Sequence, residues 1–328
     1  MWNGSYRRYL DNNLQTIFQQ KQSTSAEINL ALTALLKEAG FQAHPALIST
    51  RRHGNVVKVY PLLSQFNHVI TWVSINNQDY LLDATDPLRP FDLLDEEDLN
   101  ENALILDHAN TRWIEVKPAG TTKSTLMATV DLSNLHNPLV ALESRLEGYT
   151  AYNQRKKWNE GMDSQLLLNQ LGVHSPVHHL DNMEVADPKN IINHFSCKVS
   201  FTLPELVEIN NDLVYLKPLL TENNNPFKSL ARSYPVDFGY PNSEYSTVLI
   251  KIPDGYIAEE LPEGLHLKLP RDYGYFLYQI DYKGKDLQLV IRFNMQKTII
   301  PTHDYNVLRE FYGLIIAKTN EMIVLKKI

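Results

Sequence analysis

The chain has 328 residues, 43% of them hydrophobic and 21% charged, which predicts an ordinary globular protein with room for more than one domain. A net charge of −7 and a pI near 5.9 give no basic footprint for a phosphate backbone or an anionic lipid surface, so nucleic acid is not expected as a partner. Cys197 is the only cysteine, which excludes an intramolecular disulfide and a cysteine-based zinc site.

No apolar run approaches the ~20 residues needed to cross a bilayer, and residues 1–5 do not read as the start of a secretory signal. Along the chain, Tyr9, Leu10, Leu14, Ile17 and Phe18 recur at helical spacing and predict a helix over 6–21. A second helix follows at once. Thr24 or Ser25 is suited to its N-cap, Glu27 stands where a capping box wants it, and Ile28, Leu32, Leu35, Leu36 and Ala39 form an apolar stripe. Gly40 closes that helix. Strands are expected over 43–50, 67–75 and 79–83, with turns at 51–55 and at Asn76-Asn77.

His68 and Asp83 lie at similar distances from the Asn76-Asn77 tip, so paired antiparallel strands can make them neighbours. A general base and the carboxylate that orients it need that proximity. Ser25 stands in the first turn of the second helix, where backbone N–H groups favour an anion. A thiol there would gain a lowered pKa; a hydroxyl gains much less and depends on a well-placed base.

The order of a helix-borne nucleophile position at Ser25, then Phe66-Asn67-His68-Val69-Ile70, then Leu81-Leu82-Asp83-Ala84-Thr85-Asp86, resembles the transglutaminase-like core, a papain-like cysteine fold, over roughly residues 2–116. Ala26-Glu27-Ile28-Asn29-Leu30, Pro45-Ala46-Leu47-Ile48-Ser49-Thr50-Arg51 and Gly54 are similar to the pattern of bacterial multidomain members. The resemblance implies Ser25 at the nucleophile position, His68 as base and Asp83 as orienting acid, with serine standing where the family has cysteine. It also implies an extracytoplasmic, periplasmic setting and a β-rich domain ahead of the core that this chain does not contain.

The second half reads as β-rich. Strands are expected over 124–132 and 139–149, a helix over 151–170, and further short strands over 195–203, 213–218, 246–252, 267–269, 274–282 and 287–294. That spacing argues for an antiparallel sandwich. A last helix over 303–319, capped by Thr302 or Asp304, presents Val307, Leu308, Phe311, Tyr312, Ile315 and Ile316. Residues 225–241 also look like the C-terminal β-rich domain of the same family. The expected organisation is a truncated transglutaminase-like domain over 1–118, a β-rich connecting unit with a helix over 119–190, and a β-sandwich with a C-terminal helix over 191–328, α+β as a whole.

Other features favour structural readings. His174, His178 and His179 sit in a loop beside Ser175-Pro176 and read as solvated rather than metal-binding. The acidic run 92–101 reads as a helix start with an exposed face and lacks calcium-loop spacing. Aromatics between Tyr234 and Tyr245 suit a sandwich core better than a glycan or peptide groove. No cofactor and no metal are expected. The functional expectation is a catalytically inactive transglutaminase-like protein that binds or scaffolds a peptide, protein or cell-envelope polymer. The alternative is a hydrolase or acyltransferase in which Ser25 attacks an amide or ester, His68 shuttles the proton and Asp83 orients His68.

Overall fold

A computed structural model describes residues 1–328 apart from 61, 119, 121, 175, 176, 178, 193, 218 and 220–223, and apart from the side chains of Leu14 and His179. The chain is α+β, about 22% helix and 38% strand. It divides into two compact units, Met1–Gly120 and Thr121–Ile328. No described helix is long and apolar enough to cross a membrane.

The first unit carries α1 (Leu14–Gln19), α2 (Ser25–Glu38) and strands β1 (Gln42–Ile48), β2 (His68–Ile75), β3 (Gln78–Leu82), β4 (Asn102–Ile105) and β5 (Arg112–Glu115). The strands form an antiparallel sheet in the order β3-β2-β1-β4-β5. β2 is buried on both faces from His68 to Val73, as a central strand with α2 against it should be. Ala26 of α2 packs with Leu47, Phe66 and Val69, and Leu30, Leu104 and Trp113 close around them. Asn76 and Asn77 both take positive φ, 51° and 63°, and supply the tight β2–β3 turn the sequence predicts.

The expected first helix is mostly absent. Only Leu14–Gln19 is helical, started by Asn13, whose side chain accepts from the Thr16 N–H. Residues 1–8 instead run extended beside residues 23–25, and their backbone groups bond there rather than within a helix. The second helix forms as expected: Thr24 is its N-cap, Glu27 completes a reciprocal capping box, and Gly40 follows at φ +87°.

The second unit holds an eight-stranded sheet built from β6 (Thr122–Asp131), β7 (Leu139–Glu147), β8 (His179–Ala186), β9 (Phe195–Thr202), β13 (Asn242–Lys251), β15 (Leu265–Lys268), β16 (Gly274–Lys283) and β17 (Asp286–Met295). Their order is β15-β16-β17-β13-β6-β7-β9-β8. All neighbours are antiparallel except β13 and β6, which pair in parallel, a departure from a purely antiparallel sandwich. A second sheet, order β10-β11-β19-β14, joins β10 (Val207–Asn210), β11 (Leu213–Leu216), β14 (Tyr256–Glu260) and β19 (Ile323–Lys327). A two-residue pairing links β12 (Val236–Asp237) to β18 (Ile299–Ile300). Both larger sheets contribute to one hydrophobic cluster, which α5 (Tyr305–Thr319) joins through Leu308, Phe311 and Ile315.

Segments 119–190 and 191–328 therefore share a sheet, because β6 and β7 lie between β13 and β9. The single helix expected over 151–170 is two, α3 (Gly148–Asn159) and α4 (Ser164–Gln170), separated where Gly161 takes φ +92° and Asp163 caps the second. Asp304 precedes α5 but makes no capping bond. Its carboxylate accepts from the Tyr273 hydroxyl at 2.7 Å and from Arg271 at 2.9 Å instead.

Candidate functional site

The first unit brings Ser25, His68 and Asp83 together. With Thr24 serving as the N-cap, Ser25 is the first helical residue and its side chain is free to face β2. Ser25 Oγ lies 3.0 Å from His68 Nδ1, at the first residue of that strand. On the other side of the ring, His68 Nε2 is 4.0 Å from Asp83 Oδ1 and 3.8 Å from Asp98 Oδ1. These are ion-pair distances rather than hydrogen bonds, and Nε2 has no hydrogen-bond partner among the described residues.

Asp83, just past β3, is held from several directions. Oδ1 accepts from Asn29 Nδ2 at 2.8 Å and from the Thr85 N–H at 3.2 Å, and Oδ2 accepts from the Thr85 hydroxyl at 2.7 Å and from Arg89 Nη1 at 2.5 Å. Asn29 sits one helical turn beyond Ser25 and also donates to the Val69 carbonyl, so a single α2 face fixes both the strand and the carboxylate. Burial alone would raise the Asp83 carboxyl. Arg89, His68 and the Asn29 bond outweigh it and hold the group below its ordinary range.

Burial has the opposite effect on charge at His68. Desolvation lowers its pKa to about 4 despite the pull of Asp83, with Arg89 lowering it further, so the ring is neutral near pH 7. A neutral ring with Nδ1 accepting from the Ser25 hydroxyl places its proton on Nε2, toward the two carboxylates.

Asp98 was not among the expected site residues. In the acidic run 92–101, expected as a helix start with an exposed face, Asp95 caps a short 3₁₀ turn, Glu96–Asp98, that turns Asp98 fully inward. Its two carboxyl oxygens have no hydrogen-bond partner among the described residues. Burial first, then the neighbouring Asp83 and Asp95, raises its pKa well above the ordinary value. His68, Asp83 and Asp98 bring ligand atoms within 4.8 Å of one another, a donor set that suits a divalent cation, but Arg89 already supplies the positive charge at Asp83.

The site is covered. Ser25 and His68 are both 0% exposed. The Ser25 N–H donates to the Ser5 carbonyl at 3.0 Å, and Ser25 Oγ accepts from the Arg7 N–H at 2.9 Å. Tyr6, between them, meets the His68 ring edge-on at 4.9 Å. Burial and the nearby Asp95, Asp98, Asp83 and Glu97 carboxyls raise the Tyr6 phenol further above its already high pKa.

Known proteins offer two points of comparison. Residues 212–325 match DUF3858, a family described as a domain of unknown function with a solved structure. The fold is similar to that of a “putative protease” from Parabacteroides distasonis: 96% of this chain aligns at a TM-score of 0.51 and 12% identity. At that identity the likeness is one of fold. The chain spans less than half of that protein, 46% of its length. No curated protein matches the sequence.

The second unit contains a cavity of about 720 Å³ lined by Tyr240, Tyr245, Phe276, Phe293 and Tyr312, with Asn242 donating to Glu244 at its edge. The Tyr234–Tyr245 aromatics thus divide: Tyr240 stacks on Tyr149 at 4.1 Å, Phe238 packs on Phe227, and Tyr234 is exposed. His174 is exposed, while His178 and the side chain of His179 lie outside the described residues.

Proposed function

We propose that the first unit is a transglutaminase-like scaffold, with Ser25 at the position the family gives to cysteine, that binds a peptide or cell-envelope polymer without turning it over. One observation carries this reading: both groups of Ser25 needed for acyl chemistry are already engaged. The N–H that would receive an oxyanion is held by the Ser5 carbonyl, and Oγ is loaded with the Arg7 N–H, behind a surface that leaves Ser25 and His68 fully buried. The orienting contact is also loose, since no carboxylate oxygen comes within hydrogen-bond reach of His68 Nε2.

A second reading, a serine hydrolase or acyltransferase, is favoured by the 3.0 Å approach of Ser25 Oγ to a neutral His68. A probe carrying an activated acyl ester, which acylates serine or cysteine nucleophiles, separates the two. The binding reading expects no Ser25-dependent labelling of the wild type, and His68-dependent labelling of Ser25→Cys. Wild-type labelling that disappears in Ser25→Ala would establish the enzyme.

A further inference from the structure

We propose that residues 1–8 act as an internal ligand of the Ser25 cleft, and that the cleft's external ligand is a peptide with an aromatic residue and, two positions on, a basic one. The proposal rests on the reading of this cleft as a binding site and names the class of molecule it takes.

The segment is bound as a peptide strand is bound. The Ser23 N–H donates to the Met1 carbonyl at 2.9 Å, and the Asn3 N–H donates to the Ser23 carbonyl at 3.0 Å, a parallel bridge centred on Trp2 and Ser23. Gly4 then bends the chain at φ +85°, and the contacts move to the start of α2, where Ser25 holds the Ser5 carbonyl and the Arg7 N–H. Residues 3, 5 and 7 thus all spend backbone groups on residues 23–25, the first beside a single strand-like bridge and the other two on the first residue of α2. On the segment's side these bonds use main chain only, so they ask of a ligand a backbone that follows this path, glycine at the bend included.

Side chains supply the preference. Tyr6 covers His68 edge-on at 4.9 Å and is met by Trp2 at 5.0 Å, making an aromatic lid over the buried ring. Arg8 Nη1 donates to the Leu63 and Phe66 carbonyls at 2.7 and 2.6 Å, a pair of acceptors placed for a cation. Asp83, Asp95 and Glu97 lie in the surrounding wall, all close enough to act on the Tyr6 phenol. Asp83 and Asp95 are paired with Arg89 and Glu97 with Arg52, so the preference comes from the ring against His68 at position 6 and the cation on two carbonyls at position 8.

The test uses the full chain with Tyr6→Gly and, separately, Arg7→Pro, the latter deleting the N–H that loads Ser25 Oγ, each checked for folding by circular dichroism. A fluorescent peptide of residues 1–9 is titrated by anisotropy, with its own Tyr6→Gly version as control. Saturable binding is expected to the variants and at least several-fold weaker binding to the wild type, whose cleft is filled.

In a Ser25→Cys background, iodoacetamide labelling is expected to rise roughly five- to tenfold on Arg7→Pro, the population shift that losing one hydrogen bond gives, and on Tyr6→Gly by a similar factor of about 2–10 from the lost ring contacts. The peptide should slow the labelling again. Cys197 is 1% exposed with its thiol pushed up to about 11, so it stays silent while the protein is folded. Folded variants that label as slowly as the parent, or that expose the thiol yet bind no peptide, would overturn the proposal. Ser25-dependent acylation of the wild type would instead overturn the non-catalytic reading and leave the anisotropy result untouched.

Discussion

Arg89→Met tests whether the Asp83 cluster is held together as the geometry says. Arg89 bonds Asp83 Oδ2 through Nη1 and Asp95 Oδ2 through Nη2 at 3.1 Å, with the Arg89 and Asp83 side chains each 1% exposed. Removing the guanidinium leaves a buried carboxylate without its main counter-charge, a loss of about 3–5 kcal/mol near pH 7. His68, 4.0 Å away, offsets part of this by becoming easier to protonate, which places the expectation at the lower end, ~3 kcal/mol. The sign with pH follows from the direction of each shift. In the wild type Asp83 titrates below its ordinary value, so its stabilisation is fully present above that value and is lost only as pH falls through the lowered pKa. In the variant, burial raises the carboxyl. It then destabilises above its raised pKa, and the penalty lifts as acid protonates it. The gap between the two proteins should therefore be widest near neutral pH and narrow toward about pH 5. Urea titrations followed by tryptophan fluorescence report this well, because Trp2, Trp72 and Trp113 all belong to the first unit. A loss below about 1 kcal/mol near neutral pH, the worth of an exposed pair, would refute the argument. So would a gap that grows on acidification.

Asp98→Asn removes a buried carboxyl whose pKa is raised by burial and by Asp83 and Asp95, and an amide nearly matches its shape, so the variant should be the more stable protein near neutral pH. A raised folded pKa takes stability from the wild type as pH rises from about 4, where the unfolded carboxyl ionises, up to that pKa, so the variant's advantage should grow over that range and shrink in acid; urea titrations across pH read the trend, and an advantage that grows in acid would refute it. Thr24→Ala removes the oxygen that caps α2 at the Glu27 N–H and should cost about 1 kcal/mol in the same assay. Gly274→Ala would place a Cβ 2.2 Å from the Asn294 carbonyl oxygen, across the β16–β17 pairing, where neither backbone can move aside. A loss of about 1–3 kcal/mol or more is expected, read as a lowered thermal midpoint of the second unit.

Much of the second unit was legible because its strands alternate between faces and its turns carry Gly, Asn or Pro. The runs expected over 274–282 and 287–294 differ from β16 and β17 by a residue at most ends. What was not legible was which strands would meet. The parallel pairing of β13 with β6 joins residues more than a hundred positions apart, and no local pattern encodes it.

The site divides along the same line. Ser25, His68 and Asp83 stood out because the elements carrying them, a capped helix and a hairpin, are written in nearby residues. The rest of the cluster depends on long-range folding. Asp98 lies in an acidic run that a single 3₁₀ turn points at His68, and Tyr6 and Arg7 fall inside the helix expected over 6–21, which forms only over Leu14–Gln19. Asn12 and Asn13 mark where that helix fails: Asn13 caps the short α1, while Asn12 Nδ2 donates to Glu27 at 2.7 Å and ties the preceding segment to the start of α2. A spacing rule scores only the bonds a segment can make with itself. Residues 5 and 7 instead bond the first residue of α2, and Tyr6 between them covers the His68 ring, contacts that lie outside any local spacing rule.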